Sequence, residues 1–354
     1  MRRLALTLAL VTVVVIVVTA GLYALGRAAG VGPFAPGVPT SWIFTAISRS
    51  GEDGDAREIE VIDLATGERQ LFSVDDRAFD IALSRDRRTL YVGTTNGRVF
   101  ELDALHGTFL GEIKLGSGGE VRRIVILPDG QRILAVATGA TDATASLIDL
   151  GVRREKARLQ LGNRLIGKSI AGKDVVLSSS DRQSIEQLLT LDLDPLRVKA
   201  EVILSSLGPP LGPRTAAPSL ELASDGSIVA LSPFALRLSL LSASTDRRNA
   251  DVPFPAGRPP LLVPGFDGDL VLTRGDGIIQ FCVGTGARAE RYVTSLETLQ
   301  VVRVGAECGR YARLGDGTIY LAVRAKPELR ELDPVSGQLR RTLALAGFPQ
   351  RVAY

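Results

Sequence analysis

Histidine is almost missing from this chain: His106 is the only one in 354 residues. A histidine-built metal centre or acid–base pair therefore has nothing to be assembled from. Cysteine is nearly as scarce, Cys282 and Cys308 being the only two. Charge of one sign is also lacking, because 42 Lys and Arg face 39 Asp and Glu for a net +3. So small and dispersed an excess argues against nucleic acid as a partner. No stretch beyond the first 41 residues sustains a 3.6-residue apolar period, which excludes a helical body. What remains is a 45% hydrophobic chain without low-complexity tracts, able to bury a large core.

The one long apolar run lies at the start. Met1-Arg2-Arg3 precedes Leu4 to Gly26, 23 residues without a charge, long enough to cross a hydrocarbon core at about 1.5 Å per residue. The two arginines favour a cytoplasmic N-terminus, which puts everything after the segment outside. Residues 1–27 thus read as a single-pass membrane anchor or as a signal helix, with Val18-Thr19-Ala20 offering the small residues a signal peptidase accepts. Both readings export the body: it is tethered to the cell membrane, or periplasmic or secreted if cleaved near Ala20. Residues 28–41 hold three prolines and three glycines, which deny helix and ladder pairing and make a short stalk.

From Trp42 onward the sequence repeats. An apolar run ends in a turn at Val61-Ile62-Asp63-Leu64-Ala65-Thr66-Gly67, and cognate turns follow at Asp103, Asp149, Asp192 and Asp333, with worn copies near Ser242 and Cys282. The intervals of 40, 46, 43, 50, 40 and 51 residues fit one four-stranded blade each. Within a blade, Phe79 to Ser84, Thr89 to Gly93, Gly97 to Asp103 and Thr108 to Ile113 read as successive strands. Turns at Asp86 to Arg88 and at Asp225-Gly226, Asp267-Gly268 and Asp316-Gly317 separate the first two strands of their blades. The expected fold is all-β: a seven-bladed β-propeller over 42–354. A ring grows by adding units, so its length needs no second domain.

The ends predict how the ring closes. Phe348 to Tyr354 reads as the innermost strand of a blade whose next strand is missing, while Ser41 to Ala46 resembles Thr89 to Gly93. One blade should therefore be shared between the N- and C-terminal strands, leaving no exposed inner edge.

The pairing of Asp86 and Thr89-Leu90-Tyr91-Val92-Gly93 with Val61 to Gly67 resembles the YVTN-type repeat of seven-bladed propellers, within the WD40-like superfamily. That group includes propellers similar to the quinoprotein amine dehydrogenase β-chain. The resemblance covers roughly Trp42 to Tyr354 and implies the propeller fold. The chain departs from WD40 repeats in having no strand-closing Trp-Asp pair. It also lacks the repeated tryptophans of quinone-cofactor propellers, since Trp42 is its only one. No cofactor is expected.

The repeated turn aspartates are read as structural, because an Asp side chain accepts turn amides and Gly supplies the positive φ of a bulged hairpin. Asp53-Gly-Asp55, Asp192-Leu-Asp194 and Asp267-Gly-Asp269 are pairs of potential calcium ligands. None continues into the carboxylate-and-glycine loop of a dedicated site, and no metal is expected. His106 falls in an outer turn and reads as a solvated residue. Cys282 and Cys308 sit in adjacent blades, where they form a disulfide in an oxidising compartment or remain two separately buried thiols; the second alternative is favoured.

The residues that differ between blades matter more. Just before and within the inner strands stand Arg77, Arg122, Arg123, Arg164, Lys168, Arg258, Arg303 and Arg351, so six repeats carry a basic group and the seventh carries Glu221. Converging, they would form a cationic mouth that captures an anionic ligand or an acidic partner by forked hydrogen bonds. Scattered, they are solvated surface residues. Leu204 to Pro218 is the longest insertion and reads as a stiff exposed loop. The favoured function is a non-enzymatic exported binding or scaffolding propeller that engages an envelope protein or polymer. The alternative is an enzyme of lactonase or lyase type, or a dehydrogenase subunit.

Overall fold

A computed structural model describes residues 37–354, except 53, 141, 163, 173, 182–184, 207–216, 224, 233–236, 242–247, 254–267, 274–276 and 284–288. The anchor or signal helix, most of the stalk, Arg258 and most of the Pro-rich insertion lie outside the described residues. Among those described there is no helix, and hence none long and apolar enough to cross a membrane.

Seven four-stranded antiparallel sheets form the body. The first blade takes β1 (Trp42–Ser48), β2 (Ala56–Asp63) and β3 (Arg69–Ser73). The second is β4 (Asp80–Leu83), β5 (Thr89–Gly93), β6 (Arg98–Asp103) and β7 (Phe109–Lys114). The third is β8 (Glu120–Ile126), β9 (Arg132–Thr138), β10 (Ala143–Asp149) and β11 (Arg154–Gly162). The fourth is β12 (Arg164–Ala171), β13 (Val175–Asp181), β14 (Ile185–Leu193) and β15 (Leu196–Ser206). The fifth is β16 (Ser219–Leu222), β17 (Ile228–Ser232), β18 (Arg237–Leu241) and β19 (Arg248–Pro253). The sixth is β20 (Gly268–Leu272), β21 (Ile278–Val283), β22 (Glu290–Ser295) and β23 (Val301–Gly305). The seventh is β24 (Gly309–Arg313), β25 (Ile319–Val323), β26 (Glu328–Leu332) and β27 (Leu339–Ala344). The last strand, β28 (Phe348–Ala353), returns to the first blade as its innermost strand in the order β28-β1-β2-β3.

This is the seven-bladed propeller with the shared blade that the repeat and the chain ends predicted. Phe44 pairs with Ala353 and Ser48 with Phe348, while β28 also packs against the inner strands β24 and β4 of the blades on either side. The inner part of the first blade is buried on both faces, which explains why Trp42-Ile43-Phe44-Thr45-Ala46-Ile47-Ser48 is a continuous buried run rather than an alternating one.

Seven apolar clusters fill the seven clefts between neighbouring blades. Phe44, Val61 and Phe72 of the first blade meet Leu90 and Phe100 of the second, for example. Ile43 and Ile62 meet Tyr320 and Leu329 of the seventh to close the circle. Each fully buried side chain of this size contributes on the order of 1.5–3 kcal/mol. Stability thus resides between blades, and a blade removed from its neighbours would expose both faces.

The turn between the third and outer strands confirms the structural role of its aspartate. Asp63 accepts the Ala65 amide at 3.0 Å and the Ser41 hydroxyl at 2.7 Å, and Gly67 sits at φ 79°. Asp333 accepts the Val335 and Ser336 amides at 3.0 and 2.7 Å. The Ser336 amide and the Arg340 guanidinium, which lies 2.7 Å away, hold that carboxyl down at about 2. His106 is in the same turn as expected, its Nδ1 3.0 Å from Asp103.

The sixth blade departs from the sequence reading. Its turn is at Ser295, not near Cys282: the Ser295 hydroxyl accepts the Glu297 amide at 3.1 Å, and Leu299 occupies the glycine position at φ 54°. Cys282 therefore lies in the second strand of the blade, β21, rather than at the end of the third. Gly268 likewise opens the inner strand β20 and is not part of a hairpin turn.

The favoured reading of two separate thiols is corrected as well. Cys282 and Cys308 form a disulfide, with 2.09 Å between sulfurs and 5.1 Å between Cα atoms. Cys308 precedes β24, so register brings it across the cleft onto β21 and the bridge fastens the sixth blade to the seventh. Closing a 26-residue separation is worth about 3 kcal/mol in the chain-entropy account.

Candidate functional site

The starts of the inner strands line a cavity of about 630 Å³ at one mouth of the central channel. Eight basic side chains border it, Arg77, Arg122, Arg123, Lys168, Arg310, Arg324, Lys326 and Arg351, against the four acids Glu52, Asp80, Asp269 and Glu307. The structure thus brings together five of the basic residues singled out from sequence: Arg77, Arg122, Arg123, Lys168 and Arg351. It does not bring in Arg164 or Arg303. Arg164 starts β12 but turns to Glu201, 3.6 Å away, and to the Leu161 carbonyl. Arg303 belongs to the outermost strand β23, where it pairs with Glu290 at 3.2 Å. Its assignment to an inner strand followed from the misplaced turn of the sixth blade. The inner-strand cation next in the chain is instead Arg310, on β24.

The mouth has an exposed rim and a deeper layer. At the rim, the Arg77 and Arg122 guanidinium carbons lie 4.8 and 5.3 Å from the centroid of the Phe79 ring, within reach of a cation–π attraction. Arg77 pairs with Asp55 at 3.1 Å and Arg122 with Glu120 at 2.5 Å. These pairs are wet, the four side chains being 37 to 48% exposed.

Deeper, two aspartates repeat one arrangement. Asp80 on β4 accepts the amide of Ile124 in the next blade at 2.8 Å, with Arg123 beside it and Arg351 of the preceding blade at 3.6 Å. Asp269 on β20 accepts the amide of Tyr311 in the next blade at 2.9 Å, with Arg310 beside it. It also accepts its neighbour Leu270 at 2.9 Å and the Ser219 hydroxyl of the preceding blade at 2.7 Å. Each carboxylate ties one inner strand to the next and supplies a negative charge to the arginine that precedes the tied amide.

Lys168 reaches across the same layer. Its ammonium donates to Glu221 at 2.5 Å and to the Leu270 carbonyl at 3.1 Å, and lies 3.5 Å from Asp269. Burial alone would lower its pKa, but Asp269 and Glu221 raise it, so it remains an ammonium ion. Burial pushes the Asp80 carboxyl up despite Arg123 and Arg351. Asp269, equally opposed by burial, is held below the usual range by Lys168, Arg310 and its hydrogen bonds.

Sequence reasoning missed Asp80 and Arg310 and weighed Asp269 only as a potential calcium ligand. One signal was available: Asp80 interrupts the apolar run Phe79-Asp80-Ile81-Ala82-Leu83, and an acid inside a buried strand needs partners. Among the described residues no group of three or more His, Cys, Asp or Glu side chains is arranged to hold a metal ion.

No protein-family model matches the chain, and no curated protein does. Solved structures do. A structure described as dihydro-heme d1 dehydrogenase NirN in complex with DHE aligns with a TM-score of 0.58 at 15% identity. The alignment covers 87% of this chain and 64% of that one, so this chain spans under two thirds of its length. A chain of the mitotic checkpoint complex aligns with a TM-score of 0.59 at 13% identity, over 82% of this chain and 86% of that one. Altogether 1549 solved chains are similar, a breadth that speaks for architecture and not for a shared task. By these likenesses and its own topology the chain is a seven-bladed β-propeller.

Proposed function

We propose that this protein is an exported binding platform that performs no chemistry of its own. Residues 4–26 hold the ring at the membrane, and the cationic mouth engages an anionic group of an envelope partner. The observation that carries the reading is the mouth itself, where eight basic side chains line the opening against four acidic ones, or seven with the partners Asp55, Glu120 and Glu221, on a rigid, fully paired ring. Excess positive charge around a concave opening steers and orients an anionic partner. The rigidity means that little ordering opposes association.

A photo-crosslinking side chain placed in the full-length protein in intact cells tests this. Crosslinks from the Arg77 or Lys326 position should trap a discrete envelope component, while the Arg303 position on an outer strand should trap much less. Equal trapping from both, or trapping only from the outer strand, overturns the mouth as the binding face. N-terminal sequencing of the membrane fraction tests the tether: a mature chain beginning near Gly21 would show a cleaved signal in its place.

A further inference from the structure

The ion pairs of the mouth fall into two kinds, and the difference determines what shape of anion the mouth takes; the argument rests on reading the mouth as anion-binding. In the deeper layer the cations are already satisfied by carboxylates with a second task. Asp80 holds the Ile124 amide, and Asp269 holds the amides of Leu270 and Tyr311. An anion entering there would have to displace these carboxylates from Arg351 or Lys168 and leave backbone amides of the neighbouring blade unsatisfied. The protein's own acids already occupy the place of a small buried anion.

At the rim nothing of the kind holds. Asp55 is ion-paired with Arg77, and Glu120 accepts hydrogen bonds from Arg122, both in the open at 48% and 38% exposed. Exposed pairs of this sort contribute little, so another carboxylate replaces them at small loss. The remaining rim cations, Arg324 and the exposed Lys326, are on the seventh blade. Arg77 and Arg122 belong to the second and third. The first blade lies between these two groups, since β28 packs between β24 and β4. A ligand that meets both groups must be extended enough to cross β28.

We infer that the mouth takes an extended acidic segment of a partner protein, laid along the rim from the seventh blade to the third, whose carboxylates replace Asp55 and Glu120 at Arg77 and Arg122. Guanidinium groups suit this exchange, because their planar set of N–H donors can be offered to an incoming carboxylate as to the resident one.

The test uses the detergent-solubilised full chain and a fluorescently labelled glutamate-rich peptide, followed by anisotropy, with citrate and inorganic phosphate as competitors. Joint Arg77→Ser and Arg122→Ser substitution should weaken the peptide roughly tenfold, two exposed charge-assisted contacts being lost. Joint Asp55→Asn and Glu120→Gln substitution should tighten it roughly threefold, because the resident competitors are gone. Both pairs are at the surface, so neither test depends on a fragile fold. Peptide binding indifferent to both double variants overturns the inference. Citrate or phosphate displacing the peptide at concentrations equal to unlabelled peptide overturns the extended ligand but leaves the anion-binding platform standing. Failure of all three anions to bind would bring down both.

Discussion

Asp80 and Asp269 occupy matching places on opposite sides of the channel, yet the protein treats their charges oppositely. Each accepts the amide of the next blade's inner strand and sits beside the arginine before that amide. Asp80 has the amides of Ile124 and its neighbour Ile81, with Arg123 beside it and Arg351 at 3.6 Å, but no hydroxyl or ammonium donor, and burial wins: its carboxyl is pushed up. Asp269 has two amides, the Ser219 hydroxyl and Lys168, and its carboxyl is held down although only 5% of its side chain is exposed. The number of donors aimed at a carboxylate, more than its depth, decides whether its charge is welcome. The two sides are also fastened differently. The Asp80 side depends on the terminal strand β28, which brings Arg351, whereas the Asp269 side has the Cys282–Cys308 bridge across its cleft.

The harshest way to break the comparison is to delete Phe348 to Tyr354. The loss of β28 strips the first blade of its inner strand and Asp80 of Arg351, and should forfeit more than about 5 kcal/mol, comparable to a whole domain's stability. Thermal unfolding should show loss of the cooperative transition; a truncated chain melting at the intact temperature would refute the clasp.

Next in size, Asp269→Asn should cost about 3 kcal/mol, since it takes a charge from a buried, multiply bonded network around Lys168. Asp80→Asn should cost under about 1 kcal/mol, because the amide oxygen still accepts the Ile124 amide and a disfavoured charge is removed. Urea unfolding of both variants checks the order, and equal losses would show that donor number does not matter.

The subtlest separation is in pH. Asp269, its pKa lowered by folding, contributes stability that is present above the unfolded value of about 3.9 and is lost as pH falls through the folded one. Asp80, its pKa raised by folding, imposes a penalty that is present at neutral pH and is lifted as pH falls through its folded value towards about 3.9. On acidification from neutrality the wild type should therefore gain stability relative to Asp80→Asn, then below about pH 4 lose it relative to Asp269→Asn. Parallel pH curves for the two variants would contradict this.

Much of the ring was legible in the residues themselves. Wherever the turn keeps its aspartate and a glycine, as at Asp63, Asp103 and Asp333, blade count and strand register followed. Thr89 to Gly93 was read to its ends, and the pairing of the two termini was read from their resemblance to inner and second strands. In the sixth blade the motif wears away. Ser295 replaces the aspartate and Leu299 takes the left-handed position usually given to glycine. With both marks gone, the turn was read thirteen residues early. That one slip put Cys282 on the wrong strand and substituted Arg303 for Arg310. The disulfide was missed for a related reason, since its geometry depends on how one blade abuts the next.

The sequence by itself determined the blades, their number and the closure of the ring, because a turn needing an acceptor and a positive φ marks most of the described outer hairpins locally. Which cations share the channel mouth, which carboxylates already neutralise them, and that two cysteines meet were decided only by tertiary structure. Those facts depend on distances across clefts between blades, such as the 2.8 Å from Asp80 to the amide of Ile124, 44 residues on, or the meeting of cysteines 26 residues apart. No local pattern encodes such a distance; the packing of one twisted sheet on another sets it.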